Sequence, residues 1–174
     1  NQIGEASYDA ALLSAAAGPT AIDLIEAGRA RTAFCAVRPP GHHAERSKAL
    51  GFCFLNNAVI AARHWQRAHG RRRVLVFDFD AHHGNGTQEI FWRDPSVLFV
   101  SLHQFPWYPG TGSEAETGEG DGRGATLNIP LGAGCGDAEY LAAFEDQVLP
   151  ALRAFRPEFL LASVGFDAHF RDPL

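Results

Sequence analysis

Four short segments of the chain gather ionisable side chains in patterns that suit metal-assisted acid–base chemistry. They are RPPGHH with His42 and His43, DFDAHHGNG with Asp78, Asp80, His82 and His83, SLHQF with His103, and GFDAH with Asp167 and His169. Aspartate is a poor strand residue, and two in alternate positions of an apolar run must be paired or hold a cation. Alternate strand residues share a face, with a rise of about 3.3 Å per residue. The spacing therefore lines up Asp78, Asp80 and His82 if the strand stays extended to its end. Asp80 and His82 then offer one carboxylate oxygen and one imidazole nitrogen to a single ion. Asp167, at the equivalent end of a later strand, offers a third ligand. Two Asp and one His leave a fourth position open, as in catalytic zinc sites; iron or cobalt also suits these donors. The adjacent His42 and His43 follow a Pro-Pro-Gly turn and are candidates for general base and acid near a metal-bound water. Asp78 is placed to orient one of the two imidazoles from behind.

These residues need elements to carry them. Residues 8–17 and 21–27 read as two helices with a break at Gly18-Pro19. Residues 32–37 (TAFCAV) read as a short buried strand stopped by Arg38-Pro39-Pro40. Residues 56–68 carry apolar side chains at helical spacing, with His64 on that surface helix and His69 at its end. Residues 74–79, 97–102, 126–129 and 159–164 read as further strands, and 137–155 as a long helix with Asp137 as its N-cap. Residues 109–124 (PGTGSEAETGEGDGRG) read as a long, solvated surface loop. Apolar strands separated by helices predict an α/β fold, an open parallel sheet with helices on both faces, in one domain spanning 1–174. In such sheets ligands bind beyond the carboxyl ends of the strands, where the clusters lie.

Composition narrows the class. With 174 residues, 46% hydrophobic and 20% charged, the chain can bury a core and is not disordered. No apolar run approaches the roughly 18 residues of a membrane span. A net charge of -5 without a basic run argues against direct nucleic-acid binding. Cys35, Cys53 and Cys135 are too few and scattered for a disulfide framework, which fits a reducing, cytoplasmic setting. Oligomeric state is not legible. The chain has no methionine and ends on RDPL just after an apolar run, which reads as the central piece of a larger domain.

In this order, PPGHHA, GFCFLNN, DFDAHHGNGT, SLHQFPWYPGTG, NIPL and GFDAH resemble the zinc-dependent histone deacetylase superfamily, including bacterial deacetylase-like amidohydrolases and acetylpolyamine amidohydrolases. The resemblance implies the arginase-deacetylase α/β fold, here incomplete at both ends. It implies one zinc on Asp80, His82 and Asp167, and His42 and His43 as the tandem histidines, with His43 the general base and acid. Asp78 would support His42 and Asn85 would support His43; Asn at that position is the class II-like and bacterial pattern. Gly51, Phe52 and Tyr108 would line the acyl-lysine channel. A structural monovalent cation, potassium, would use Asp78, Asp80, His82, Ser101 and Leu102, mostly through backbone oxygens, with a second site near Phe91, Asp94 and Val97. Cys53 beside the channel reads as a small packed residue. The family's catalytic tyrosine belongs to a Gly-rich loop well after the last zinc ligand; Tyr8, Tyr108 and Tyr140 all lie upstream and match no such motif. The implied reaction is hydrolysis of an N-acetyl amide on a lysine side chain or a polyamine. Two other readings stand beside it: a binding module without turnover, and an arginase-like dinuclear hydrolase, which needs a bridging Asp where this chain has His83, Gly84 and Asn85.

Overall fold

The computed structural model describes residues 3–173. Its centre is a parallel sheet of β1 (Val74–Asp78), β2 (Val97–Gln104), β3 (Thr126–Leu131) and β4 (Phe159–Ser163), in the spatial order β3-β2-β1-β4. Val74 of β1 is level with Val97 of β2 and with Phe159 of β4. Side chains therefore alternate between two apolar faces. Val74, Val76, Val97 and Phe99 pack under α2 (Asn57–Ala68) and α3 (Asn85–Phe91). Leu75, Leu98, Val100 and Leu102 pack under a second layer that includes Ala143 and Val148. That layer is one winding run, α4 (Asp137–Ala143), a π-helical turn Phe144–Val148 and α5 (Leu149–Phe155). The expected α/β class, with helices on both faces of a parallel sheet, is what forms. The N-cap of α4 is Gly136 rather than Asp137; its N–H donates to the Glu139 carboxylate at 2.8 Å. Pro130 sits inside β3 because β3 is an edge strand, where a missing N–H is tolerated.

Two expected elements differ. Residues 8–17 and 21–27 form a single helix, α1 (Ser7–Glu26), with Pro19 inside it. An interior proline costs about 3 kcal/mol. The tertiary contact of α1 with α2 overrides that cost, and Gly18 is where the two helices touch: a Cβ there would lie 2.8 Å from the Cβ of Ala61. The second difference is residues 32–37, which pair with no strand among the described residues and are exposed throughout. An apolar run becomes a strand only when a neighbour takes up its backbone groups. The free edge of β4 faces these residues across a groove of about 830 Å³. Phe34, Val37, Leu160, Val164 and Phe166 stay exposed along it. The helix α3 was not anticipated; its first turn is the polar GNGT that follows the metal-ligand motif.

The helix pair α1–α2 is anchored by Trp65, fully buried against Ile22 and Ala61, with its indole N–H donating to Glu26. Trp65→Ala is expected to cost about 3–5 kcal/mol in urea unfolding. Phe34→Ser, at a side chain 74% exposed, should stay within about 0.5 kcal/mol. Equal effects would mean that residues 32–37 are buried after all.

Candidate active site

The site is built at the carboxyl end of β1. Asp78, the last residue of the strand, is fully buried. The chain then leaves the extended conformation, so Asp80 and His82 are not aligned by strand alternation as expected. A relay of turn hydrogen bonds aligns them instead. The Asp80 N–H donates to Asp78 Oδ1 at 3.2 Å, and the His82 N–H to Asp80 Oδ1 at 2.8 Å. Aspartate side chains that accept from the backbone two residues on favour this kind of turn. Asp167, beyond β4, is drawn in by the Ala81 N–H, which donates to its Oδ1 at 3.1 Å.

Asp80, His82 and Asp167 thereby converge. One ligand atom from each lies within 4.8 Å of the other two. The His82 Nδ1–H donates to Asp167 Oδ2 at 2.8 Å and to Asp80 Oδ1 at 3.1 Å. Those hydrogen bonds, Asp167 first, push the His82 pKa up to about 9. Burial raises the Asp80 carboxyl above its usual range, while Asp167 is held well below it: burial opposes its charge, but the hydrogen bonds from His82 and the Ala81 N–H, with the His82 charge, together outweigh burial. Two carboxylates around one imidazole make a part-buried site with excess negative charge, which a proton on His82 offsets only in part. The donor set and its convergence fit a divalent cation.

The tandem histidines stand beside this cluster, both buried, with ring centroids 3.9 Å apart. They do not follow a strand; other contacts hold their segment. Gly86 and Thr87, in the first turn of α3, donate their N–H groups to the His42 carbonyl at 3.0 and 3.2 Å. Asn56, whose Oδ1 caps α2 by accepting from the Val59 N–H, donates through Nδ2 to the Ala44 carbonyl at 3.2 Å. Asn57 and Ser14 both donate to the Pro39 carbonyl. The two asparagines of GFCFLNN are therefore tethers.

The two imidazoles differ in their partners. The His42 Nδ1–H donates to Asp78 Oδ2 at 3.0 Å. Burial opposes charge on His42, but Asp78, joined by the Asp80 and Asp167 carboxylates, outweighs it and raises the pKa. His43 has Asn85 instead, with Nδ1 and Asn85 Oδ1 2.8 Å apart. Glu45 decides the roles in that contact. The Asn85 amide donates to Glu45 Oε1 at 2.8 Å, so its oxygen faces His43 and the His43 Nδ1 must carry the hydrogen. The Nε2 lone pair is left to accept a proton. Burial, then the nearby His42, lowers the His43 pKa to about 4. Glu45 was not a sequence candidate; its only signal was adjacency to the HHA segment.

The remaining candidates fall around this centre. Gly51 has φ +57°, and a Cβ there would collide with the His43 ring, so only glycine fits. Tyr108 stands edge-on to His43 at 5.1 Å between centroids and at 6.1 Å from His82. Phe52 is exposed. Cys53 is buried, and burial pushes its thiol up to about 12, as befits a packed residue. Ser101 and Leu102 are buried in β2, with Ser101 level with Asp78. The Asp94 carboxylate, named for the second expected cation, is already taken, by Arg63 at 2.7 Å and by Ser96. His83 and His103 turn away from the centre. His83 contacts Thr111 and Gln88, and the His103 Nε2–H donates to the Gly112 carbonyl at 2.9 Å. Glu116 accepts from Gly112, Ser113 and Gln88. The 109–124 segment is thus pinned rather than solvated along its whole length. His169 is exposed.

Comparison with known proteins agrees with this fold. The histone deacetylase domain matches residues 1–174. Histone deacetylase 10, chloroplastic, of Oryza sativa subsp. japonica is 45% identical over 175 residues, covering 98% of this chain and 40% of its own length. The histone deacetylase-like amidohydrolase of Pseudomonas aeruginosa is 46% identical over 175 residues, covering 99% of this chain and 46% of its own length. The crystal structure of the HDA15 HD domain superposes with a TM-score of 0.90 at 47% identity, over 95% of this chain and 48% of that one. The chain thus spans less than half the length of each of these relatives. With the domain match over its whole length and the shared parallel sheet, the chain belongs to the histone deacetylase family.

Proposed function

We propose that the protein is a zinc-dependent amidohydrolase that removes an acetyl or related acyl group from an amine, giving acetate and the free amine. The observation that carries the proposal is the convergence of Asp80, His82 and Asp167 beside a histidine pair whose second member is held neutral and correctly tautomerised. Deacetylase chemistry in general follows from the family. Zinc dependence, substrate and turnover by this chain are our reading.

Asp80, His82 and Asp167 would hold the metal. Zinc, when bound, polarises an acyl carbonyl and lowers the pKa of a water molecule. His43, uncharged at neutral pH, accepts a proton from the attacking water at Nε2 and later delivers it to the leaving amine. Asp78 favours the charged form of His42, and positive charge there disfavours a premature proton on His43. Asn85 and Glu45 fix the ring so that the same nitrogen always faces the reaction. Gly51, Phe52 and Tyr108 would form the walls along which an acyl-lysine or acetylpolyamine chain enters. Glu114 and Asp121 stay exposed and are available to a cationic substrate, whereas Glu119 is paired with Arg93 and Glu116 is withdrawn into hydrogen bonds. A potassium ion is assigned to the turn of Asp78, Asp80, His82, Ser101 and Leu102. His83, in the position where a dinuclear site needs a bridging carboxylate, points to Thr111 and Gln88, which favours a single metal in this site. No helix among the described residues is long and apolar enough to cross a membrane. The three free cysteines suit a reducing compartment, for which we propose the cytoplasm.

The test is an acetyl-lysine peptide assay with zinc added, beside metal analysis. His43→Ala should retain zinc and lose about 10²–10⁴ in turnover. Asp80→Asn should lose zinc and turnover together. Zinc-loaded protein that binds the peptide without releasing acetate would establish an acyl-binding module instead.

Asn85→Asp probes the base directly. A carboxylate beside His43 stabilises its protonated form, so its pKa should rise from about 4 and the acidic limb of kcat/KM should move to higher pH. An unmoved limb would remove His43 as the titrating base.

Metal uptake should also carry a pH signature. With a pKa of about 9, His82 is protonated at neutral pH and must lose that proton to ligate. Zinc affinity should therefore rise with pH up to about 9 and level off above it. Calorimetry at pH 7 in buffers of different ionisation enthalpy should show about one proton released per ion. Zinc binding without proton release would mean that His82 is not a ligand.

A further inference from the structure

A second cluster of metal-ligating side chains lies on other elements. Asp23 comes from the last turn of α1, His64 from α2, and His69 from the C-cap of α2. His64 Nε2 lies 2.7 Å and His69 Nε2 2.8 Å from the same oxygen, Asp23 Oδ1. The imidazole planes are inclined at 74° with centroids 5.5 Å apart. On an unbroken helix, residues five apart point roughly 140° away from each other. His69 can share a target with His64 because the C-cap leaves the helix, at φ -116° and ψ 3°.

Three features distinguish this cluster from ordinary surface polarity. Its donors are two imidazoles and a carboxylate, a set suited to zinc, nickel or copper. One donor atom from each residue lies within 4.8 Å of the others, as holds also for Asp80, His82 and Asp167, where nitrogen and oxygen donors are likewise drawn into direct contact. Donor atoms around a tetrahedral zinc sit roughly 3.3 Å apart, so small side-chain rotations open either cluster to an ion. Third, the neighbouring cation is already neutralised. Arg71 makes a double contact with Glu26, at 2.8 and 2.7 Å, and leaves Asp23 to the histidines. The imidazoles are about one-quarter exposed and the carboxylate 57% exposed, so an ion can enter and a water can complete its coordination.

We propose that Asp23, His64 and His69 form a divalent transition-metal site of the zinc class that clamps α1 to α2 and fills independently of the Asp80–His82–Asp167 centre. Exposed hydrogen bonds between histidine and aspartate add little on their own. A chelated ion adds its binding free energy to the folded state. The clamp joins the helix that carries Ser14, a tether of the Pro39 carbonyl, to the helix that carries Asn57, the other tether. The site therefore supports the frame behind the tandem histidines without touching them.

The test uses zinc alone as probe, with equilibrium dialysis and thermal unfolding of the purified protein. Asp80→Asn removes the other centre; that variant should still bind one zinc, and zinc should raise its Tm. His64→Gln with His69→Gln keeps amide hydrogen bonds to Asp23 but removes the imidazole ligands. In chelator it should unfold as the parent does, while on the Asp80→Asn background it should bind no zinc and show no zinc-dependent rise in Tm. An Asp80→Asn protein that binds no zinc would overturn the proposal, as would a glutamine variant that keeps the second ion. Loss of zinc turnover in Asp80→Asn reports only on the other centre, so the two readings fail separately.

Discussion

A carboxylate with no exposure to solvent sits at the end of β1, a strand paired on both sides, and the site is arranged around that fact. Asp78 is held in the sheet by β2 and β4, so it cannot swing out to water. A buried carboxylate must be met by donors or by charge. One oxygen takes the His42 Nδ1–H and the other takes the Asp80 N–H. The first contact fixes the tandem histidines over the strand end. The second starts the turn that brings Asp80 and His82 together. A single buried charge thus positions both the acid–base pair and two of the three metal-ligand candidates.

The neighbouring imidazoles show how a small difference in partner sets opposite roles. His42 and His43 are adjacent, both buried and nearly in contact, yet their pKa values move in opposite directions. His42 faces a carboxylate and His43 faces an amide. Burial penalises the charged form of each, and only a full negative charge overcomes that penalty. Asn85 therefore does what an aspartate could not: it supplies the hydrogen bond that selects the tautomer without supplying the charge that would protonate the base. Glu45 places its charge one bond further out, where it orients the amide.

Much of this was legible in the sequence, and the failures have physical causes. The four paired strands, the helices on both faces and the convergence of Asp80, His82 and Asp167 follow from apolar runs and from aspartates too costly to bury alone. Residues 32–37 misled because apolar alternation reports what a segment can bury, not whether a neighbour is there to pair with it. Gly18-Pro19 misled because local propensity was weighed without the contact to Ala61 that holds α1 together. The alignment of Asp80 and His82 was expected for the wrong reason: the turn hydrogen bonds that create it have the same side-chain alternation as a strand. Glu45, Asn56, Asn57, Gln88 and Glu116 are not legible as site supports, since each depends on a partner 12 to 40 residues away in sequence.

The pinned segment 109–124 extends the same logic to the rim. A glycine-rich, acidic stretch would ordinarily be left to solvent, because it has little apolar area to bury. Here Glu116 reaches inward, accepts from Gly112, Ser113 and Gln88, and so makes one acidic residue an internal brace. Gln88 also meets His83 and Asn128, so the brace runs from the 109–124 segment through α3 to β3. His83 is the second histidine of the DAHH motif, and its ring is spent on this network while His82 faces the carboxylates. Adjacent residues after a strand point to different sides, and the chain uses both: one imidazole for the candidate metal centre, the next to fix the wall on which Tyr108 stands. The doubled histidine is thus a division of labour between chemistry and support, the same division that separates His43 from His42.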